Sequence, residues 1–217
     1  MDYPQPTYSA LPLQTFKRLP DYYNYLKGAL KTNTPYISSA AMAREMGLNE
    51  VQVRKDLASV SKTPGKPRKG FDVLELMECI GECLGYHNRK EAVLIGAGRL
   101  GRALLSYPGF EEHGVQIVAA FDADRTLTDI KIGGKQIFSM EKLPSLIRRL
   151  QVHIGIIAVP AEAAQDVCDV LVQNGVAAIW NFAPAYLKTP KDVLVQNENL
   201  AASLAVLSQR LSDKPKD

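Results

Sequence analysis

Histidine, cysteine and tryptophan are scarce in this chain: three, three and one among 217 residues. Cys79, Cys83 and Cys168 are too few, and odd in number, for a disulfide scaffold. Cys79, Cys83 and His87 recur at intervals of four, which would put them on one face of a continuous helix. Gly85 is placed to end that helix and no fourth ligand lies close by, so no metal is expected and buried thiols are the simpler reading. The histidines, His87, His113 and His153, are scattered without an acid at an evident catalytic position, so an enzyme is not expected. No apolar run approaches the ~18 residues of a membrane span. The opening "MDYPQPTYSA" lacks the charged-then-apolar pattern of a signal peptide, so a cytoplasmic protein with no membrane partner is expected.

A large net charge is also missing, yet the value of +3 hides an asymmetry. Residues 1–90 carry 13 basic and 9 acidic side chains, a balance of +4, and the remainder carry 13 and 14, a balance of −1. From Asn49 to Phe71 there are six basic residues and two acidic ones. A local basic patch beside a near-neutral remainder points to an anionic partner for the first part of the chain.

That first part reads as a DNA-binding fold. After a proline-rich arm, "DYYNYLKGALK" has helical spacing at Tyr22, Leu26, Ala29 and Leu30, with Asp21 a helix start behind Pro20. In "ISSAAMAREMGLNEVQVRKDLASV", Ser38 or Ser39 can cap a helix through Met46. Gly47 ends it, and Asn49 can cap a second helix from Glu50 to about Val60. Ala43 lies four residues before the turn glycine and Val53 six after it, the arrangement of a helix-turn-helix. Val53, Leu57 and Val60 form the inward stripe, leaving Gln52, Arg54 and Lys55 to reach phosphates and base edges. "SKTPGKPRKGFDV" follows where a winged helix has its wing, with Lys62, Lys66, Arg68 and Lys69 suited to the DNA backbone. "FDVLELMECIGECLGY" is a closing helix.

From Glu91 the pattern alternates strand and helix, which makes a parallel sheet with helices packed on it. "EAVLIGAG" runs into Gly96-Ala97-Gly98-Arg99-Leu100-Gly101 and then a helix. Gly96 permits the turn, Gly98 lets a pyrophosphate approach the backbone, and Gly101 lets the helix pack on the strand. The helix N-terminus supplies N–H donors to the phosphates. Asp122, ending the next strand in "AFDAD" with Asp124, falls about twenty residues on, where an acid meets the adenosine ribose. That carboxylate favours NAD(H), because a 2′-phosphate would sit against it, although Arg125 is near in sequence.

In order along the chain, "RLP", "YYNYL", "ISSAAMAREMGL", "VQVRKDL", "IGAGRLGRALLSYPGF", "AFDAD", "IAVPAEAAQ" and "NFAPAYLKTP" together resemble the Rex family of redox-sensing transcriptional repressors, from about Arg18 to Leu207. The resemblance implies an α/β protein. Residues 1–86 would form a winged-helix (helix-turn-helix) domain and residues 90–197 a Rossmann-type parallel sheet domain. Residues 198–217 would form a C-terminal helix and tail exchanged between subunits of a homodimer. It implies NADH/NAD as the sensed ligand, with NADH releasing an inverted-repeat operator DNA. Residue by residue, it implies DNA contacts around Gln52, Arg54 and Lys55 with Ser39 near a phosphate. It also implies a nicotinamide region lined by Val159, Pro160, Asn181 and Phe182, and Tyr107 near the interface and cofactor. Arg18 would meet an acid ahead of the C-terminal helix, but that position holds Asn199, so either Asn199 only caps the helix or Glu198 supplies the charge. The wing lacks the family's tyrosine, and the polar "SDKPKD" ending suggests a brief final helix. Two other readings stay open: an NAD-dependent oxidoreductase, and a winged-helix regulator sensing another nucleotide such as CoA.

Overall fold

The computed structural model describes residues 11–212. The chain forms two compact units that meet at Asn88 and Arg89. The proline-rich arm lies outside the described residues, apart from its last two.

The first unit opens with α1 (Leu13–Lys31). The sequence places this helix start at Asp21, but the helix begins eight residues earlier and carries Pro20 inside it. An interior proline costs about 3 kcal/mol through its missing N–H and ring clash. The offset comes from tertiary burial: Thr15, Leu19, Tyr22 and Leu26 recur at helical spacing and are all buried, the last three completely. α1 packs against α4 (Val73–Leu84).

Between them stand β1 (Tyr36–Ile37), α2 (Ser39–Met46), α3 (Glu50–Val60) and β2 (Phe71–Asp72). Ser38 Oγ caps α2 by accepting from the Ala41 N–H at 3.1 Å. Gly47 ends that helix at φ 66°, left-handed backbone that L side chains resist. Asn49 Oδ1 then caps α3 by accepting from the Gln52 N–H at 3.2 Å. Ala43 and Val53 are buried at the crossing, as the helix-turn-helix spacing expects. β1 and β2 pair antiparallel and bracket the wing. Its tip is a tight turn in which the Lys66 N–H donates to the Gly70 carbonyl at 2.7 Å and the Gly70 N–H returns to Lys66 at 2.8 Å. Its stem is held by Glu75 of α4, which accepts from the Thr63 N–H at 2.9 Å and from the Thr63 hydroxyl.

The polar centre of this unit is Asp56 on α3, which is 2% exposed. Its carboxylate accepts from Thr15 Oγ1 at 2.9 Å, Arg18 Nε at 2.7 Å, Arg18 Nη2 at 3.0 Å, Tyr22 OH at 2.8 Å and Gln52 Nε2 at 3.0 Å. Three of those four donor residues are on α1, so α1 and α3 are locked together.

The second unit is a seven-stranded sheet in the order β5 (Lys131–Ile132), β6 (Lys135–Ser139), β4 (Val115–Asp122), β3 (Lys90–Ile95), β7 (Ile154–Ile157), β8 (Ala178–Asn181), β9 (Leu194–Asn197). Every pairing is parallel except β5 with β6. β3 is central and apolar on both faces, as a covered parallel strand must be. Val93 and Ile95 pack beneath α7 (Leu143–Leu150) and α8 (Ala161–Gln173), while Ala92 and Leu94 join Leu105 of α5 (Arg99–Leu105) on the other side. Pro144 sits in the first turn of α7, so it marks a late helix start rather than a kink. A short α6 (Gly109–Glu112) precedes β4.

Two features are not legible in the sequence. The β5–β6 hairpin turns on Gly133 and Gly134, both at positive φ, and β9 extends the sheet beyond β8. The final helix, α9 (Leu200–Ser212), spans 13 residues and is longer than the polar chain ending suggests.

Burial pushes the Asp56 carboxyl upward, and the hydrogen bonds from Arg18, Tyr22, Thr15 and Gln52 outweigh it, leaving it below the usual aspartate value. A carboxyl lowered in the folded state contributes stability that is complete above its unfolded pKa, about 3.9. That stability is lost as pH falls through the lowered folded value. Asp56→Ala should therefore lower stability by about 3 kcal/mol at pH 7, since it strands buried donors. Urea unfolding at pH 7 and in the acid range checks this: the variant should lose less stability on acidification than the parent.

Candidate functional site

On α3, Gln52, Arg54 and Lys55 are all exposed, but they are not equivalent. The Gln52 amide is tethered to Asp56. Arg54 faces an open groove between α3 and the wing, lined also by Ser38, Ser39, Lys66 and Arg68. No carboxylate lines that groove. Lys66 and Lys69 lie over the ring of Tyr36, with Nζ at 5.2 and 5.6 Å from its centre. Lys66 Nζ also donates to the Tyr36 hydroxyl at 3.4 Å. Arg68 sits at the tip with φ 63°. Lys62 differs from the other wing cations: its ammonium pairs with Glu82 of α4 at 2.9 Å, which directs its charge into its own unit.

In the second unit, the ends of β3, β4, β7 and β8 align at one edge of the sheet through the pairs Ile95↔Phe121, Ile95↔Ile157 and Ile157↔Asn181. The segment from Gly96 to Gly101, Asp122, Val159 and Phe182 follow those strand ends, at the carboxyl edge where open α/β sheets bind ligands. Gly96 has φ 96°, and a Cβ there would lie 2.5 Å from the Ala158 carbonyl oxygen. A Cβ on Gly101 would overlap the Gly96 carbonyl, so both glycines are required by packing. Gly98 is different: nothing lies within 4 Å of the position its Cβ would take. Open space beside that glycine is what a phosphate approaching the backbone needs, so the turn fits a dinucleotide pyrophosphate. Arg99 and Leu100 are exposed on the first turn of α5.

Asp122 is wired to the turn. Its Oδ2 accepts from the Ala97 N–H at 2.6 Å and its Oδ1 from the Asp124 N–H at 2.8 Å. Asp124 commits its carboxylate to the Thr126 hydroxyl and N–H, which hold it below the usual aspartate range. Arg125 pairs with Glu141 at 3.3 Å, both well exposed. Arg102 Nε, unforeseen in the sequence, braces the turn through the Ala97 carbonyl at 3.0 Å.

Val159 is half-buried, and Pro160, exposed, occupies the residue position just ahead of α8. Asn181 is fully buried and satisfied within the chain: its amide donates to Ala183, Ala185 and Asn197, and its Oδ1 accepts from the Ala183 N–H at 3.0 Å. It shapes the loop that carries Phe182. The Phe182 ring packs on Trp180 with centres 4.5 Å apart. Trp180 meets Phe110 at 5.6 Å, and Phe110 meets the exposed Tyr107 at 5.0 Å. Asn199 caps α9 by accepting from the Ala202 N–H at 2.8 Å. Arg18 is held by Asp56 of its own unit.

Among the described residues no cluster of His, Cys, Asp and Glu could hold a metal. Cys79 and Cys168 are buried and Cys83 half-buried, and burial pushes the Cys83 thiol up to about 11, so it stays protonated. No helix among the described residues is long and apolar enough to cross a membrane. The sequence does not announce Tyr36, Asp56, Glu75 or Trp180, the last being the partner of Glu198. Tyr36 was the most accessible of these, as an aromatic just ahead of the first cap.

A winged helix-turn-helix with a cationic groove, joined in one chain to a parallel sheet with an open glycine turn, defines a ligand-responsive DNA-binding regulator. Comparison with known proteins narrows that class. The family described as "Putative DNA-binding protein N-terminus" matches residues 10–58, and "CoA binding domain" matches residues 87–185. The chain is 38% identical over 198 residues to the redox-sensing transcriptional repressor Rex of Treponema denticola, covering 91% of this chain and 94% of that protein. It is 41% identical over 204 residues to Rex of Pelotomaculum thermopropionicum, covering 94% and 95%. Among solved structures, it is similar to RSP in complex with β-NAD+ and operator DNA, with a TM-score of 0.87, 35% identity and coverage of 94% and 93%. It is also similar to RSP in complex with β-NADH, with a TM-score of 0.84, 34% identity and coverage of 94% and 95%. The chain belongs to the Rex family of redox-sensing transcriptional repressors, and the relatives are named as repressors, not enzymes.

The glycine geometry separates fold from site. Gly101→Ala should lower stability by about 2 kcal/mol, the range of an overpacked core. Gly98→Ala should leave the melting temperature of the parent unchanged. Thermal melts of the two variants check both statements.

Proposed function

We propose that this chain is an NADH/NAD-responsive repressor whose first unit holds operator DNA and whose second unit senses the cofactor. The carboxylate-free groove between α3 and the wing carries this reading, because it sits in the same chain as an open glycine turn. Arg54 and Lys55 are the groove-reading side chains. Ser39, Lys66, Arg68 and Lys69 hold phosphates, where each neutralised phosphate releases counterions. Gln52 orients α3 through Asp56, and Lys62 braces the wing stem against α4.

In the second unit, Gly96, Ala97, Gly98, Arg99, Leu100 and Gly101 form the pyrophosphate cradle. Asp122 accepts from the ribose hydroxyls with the lone pairs that Ala97 and Asp124 leave, and Asp124 supports it through the same turn. Val159, Pro160 and Phe182 line the nicotinamide side. When bound, the cofactor supplies a ring that is cationic in NAD+ and neutral in NADH. Val159 and Phe182 offer no counter-charge, and an apolar enclosure disfavours an unpaired charge. Each factor of ten in preference needs only ~1.4 kcal/mol.

The functional form is a homodimer covered by α9. Leu200, Leu204, Leu207 and Leu211 are 62%, 67%, 65% and 69% exposed, an apolar stripe that a second copy would bury. Two winged helices related by a two-fold axis read an inverted repeat with half-sites spaced by turns of ~10 bp. The regulator is cytoplasmic on this reading.

The test is operator binding titrated separately with NADH, NAD+, NADPH and CoA. NADH should release the DNA at concentrations where the other three do not. Release by CoA alone would replace the cofactor assignment. Gly98→Ala should keep operator affinity and lose NADH-driven release. Arg54→Ala with Lys55→Ala should weaken operator binding by roughly 1–3 kcal/mol for each base that α3 no longer reads. Removal of the residues after Asn199 should turn the dimer into a monomer in sedimentation equilibrium.

A further inference from the structure

Glu198 has a partner that neither the sequence nor the proposed function assigns. Its carboxylate accepts from the indole Nε1–H of Trp180 at 3.0 Å and from the Gln196 amide at 3.3 Å. Its own N–H donates to the Asn181 carbonyl at 2.8 Å. These bonds fasten the end of β9 to the end of β8 by backbone and side chain together. On the β8 side, the next residue after the fastened pair is Phe182, whose ring packs at a tilt against Trp180. On the β9 side, the next residue is Asn199, the cap of α9. Phe182, Trp180, Glu198 and the first turn of α9 thus form one unbroken run of contacts. The link is specific in direction, since tryptophan offers a single N–H donor and no acceptor. A charge-assisted hydrogen bond to a half-buried carboxylate is also stronger than a neutral one.

We infer that Glu198 is a positioning residue that couples the nicotinamide side of the site to α9 through Trp180. This rests on the NADH-responsive reading above. Glu198 touches neither cofactor nor DNA on that reading, so it changes coupling without changing how the first unit holds the operator. An isolated role in stability would act on the melting temperature and leave coupling alone.

The readout is the ratio of operator Kd with saturating NADH to that with saturating NAD+, measured on the full-length protein. Glu198→Ala and Trp180→Phe should each shrink that ratio by about fivefold, within the range of a lost hydrogen bond and of typical coupling. Trp180→Phe keeps an aromatic ring between Phe110 and Phe182 and removes the donor along with part of the indole's packing surface, so Glu198→Ala is the cleaner of the two. Glu198→Gln keeps an acceptor oxygen and should restore most of the parent ratio. Because Trp180 is the only tryptophan, its emission maximum reports the bond directly, shifting in Glu198→Ala and returning in Glu198→Gln. Operator affinity without cofactor should match the parent in all three variants. A parent-like ratio in folded Glu198→Ala overturns the inference. So does a Glu198→Gln protein as uncoupled as Glu198→Ala, which would assign the effect to charge alone. A parent that fails to release operator with NADH overturns the functional reading itself, and the two failures are thereby distinct.

Discussion

Asp56 is the constraint on which the first unit depends. A buried carboxylate is costly unless its lone pairs are filled, and here Thr15, Arg18, Tyr22 and Gln52 fill them. Because three of those donors are on α1, the orientation of α3 is fixed by polar geometry and not by apolar packing alone. Apolar burial of Leu57 and Val53 is non-directional, whereas the bidentate Arg18 fork demands one geometry. The tilt at which Arg54 faces the wing groove follows from that restriction. It also explains how α1 carries Pro20: the segment N-terminal to the proline is needed to deliver Thr15 and Arg18 to Asp56.

The second unit is ordered by a different constraint, the closeness of the glycine turn to its neighbours. Gly101 must pass the Gly96 carbonyl and Gly96 must pass the Ala158 carbonyl, so β3, β7 and α5 can meet only with hydrogen in those places. Asp122 then closes the turn from the β4 side through the Ala97 N–H. On the proposed reading, a ribose acceptor that also braces the phosphate turn makes the two halves of the adenosine end interdependent. Asp122 is thus prepositioned by the backbone before any ligand arrives, which reduces the ordering that binding still requires.

Local chemistry makes much of this legible in the sequence, and long-range polar chemistry does not. The caps at Ser38 and Asn49, the turn at Gly47 and the glycine segment after β3 each depend on neighbours within a few residues, so spacing alone places them. Pro20 misleads because its local penalty is real, while what offsets it, burial against α4 and the bonds to Asp56 of α3, is distant in sequence. Thr15 and Asp56 are 41 residues apart, and Trp180 and Glu198 are 18 apart, with no periodicity to announce either pair. Likewise, Lys62 is indistinguishable from Lys66 by composition. Only the fold shows that one faces Glu82 and the other Tyr36. The loop motif marks Asn181 as a lining residue, yet every polar atom of its side chain is used to hold that loop.

The exposure of α9 links these observations. A 13-residue helix is at the length where isolated helices are marginal in water, and its leucines find no cover in their own chain among the described residues. Its stability must come from the Asn199 cap at one end and from whatever buries Leu200, Leu204 and Leu207 along its face. On the proposed reading that cover is a second copy, so helix formation and dimer formation are one equilibrium. A small displacement at the cap then acts on the whole interface, because the first turn fixes the direction in which every later leucine points. That leverage is why a hydrogen bond one residue ahead of the cap is well placed to transmit a signal. On that reading the amphipathic stripe supplies the affinity between copies, and the bonds between β8 and β9 hold the residue from which α9 starts.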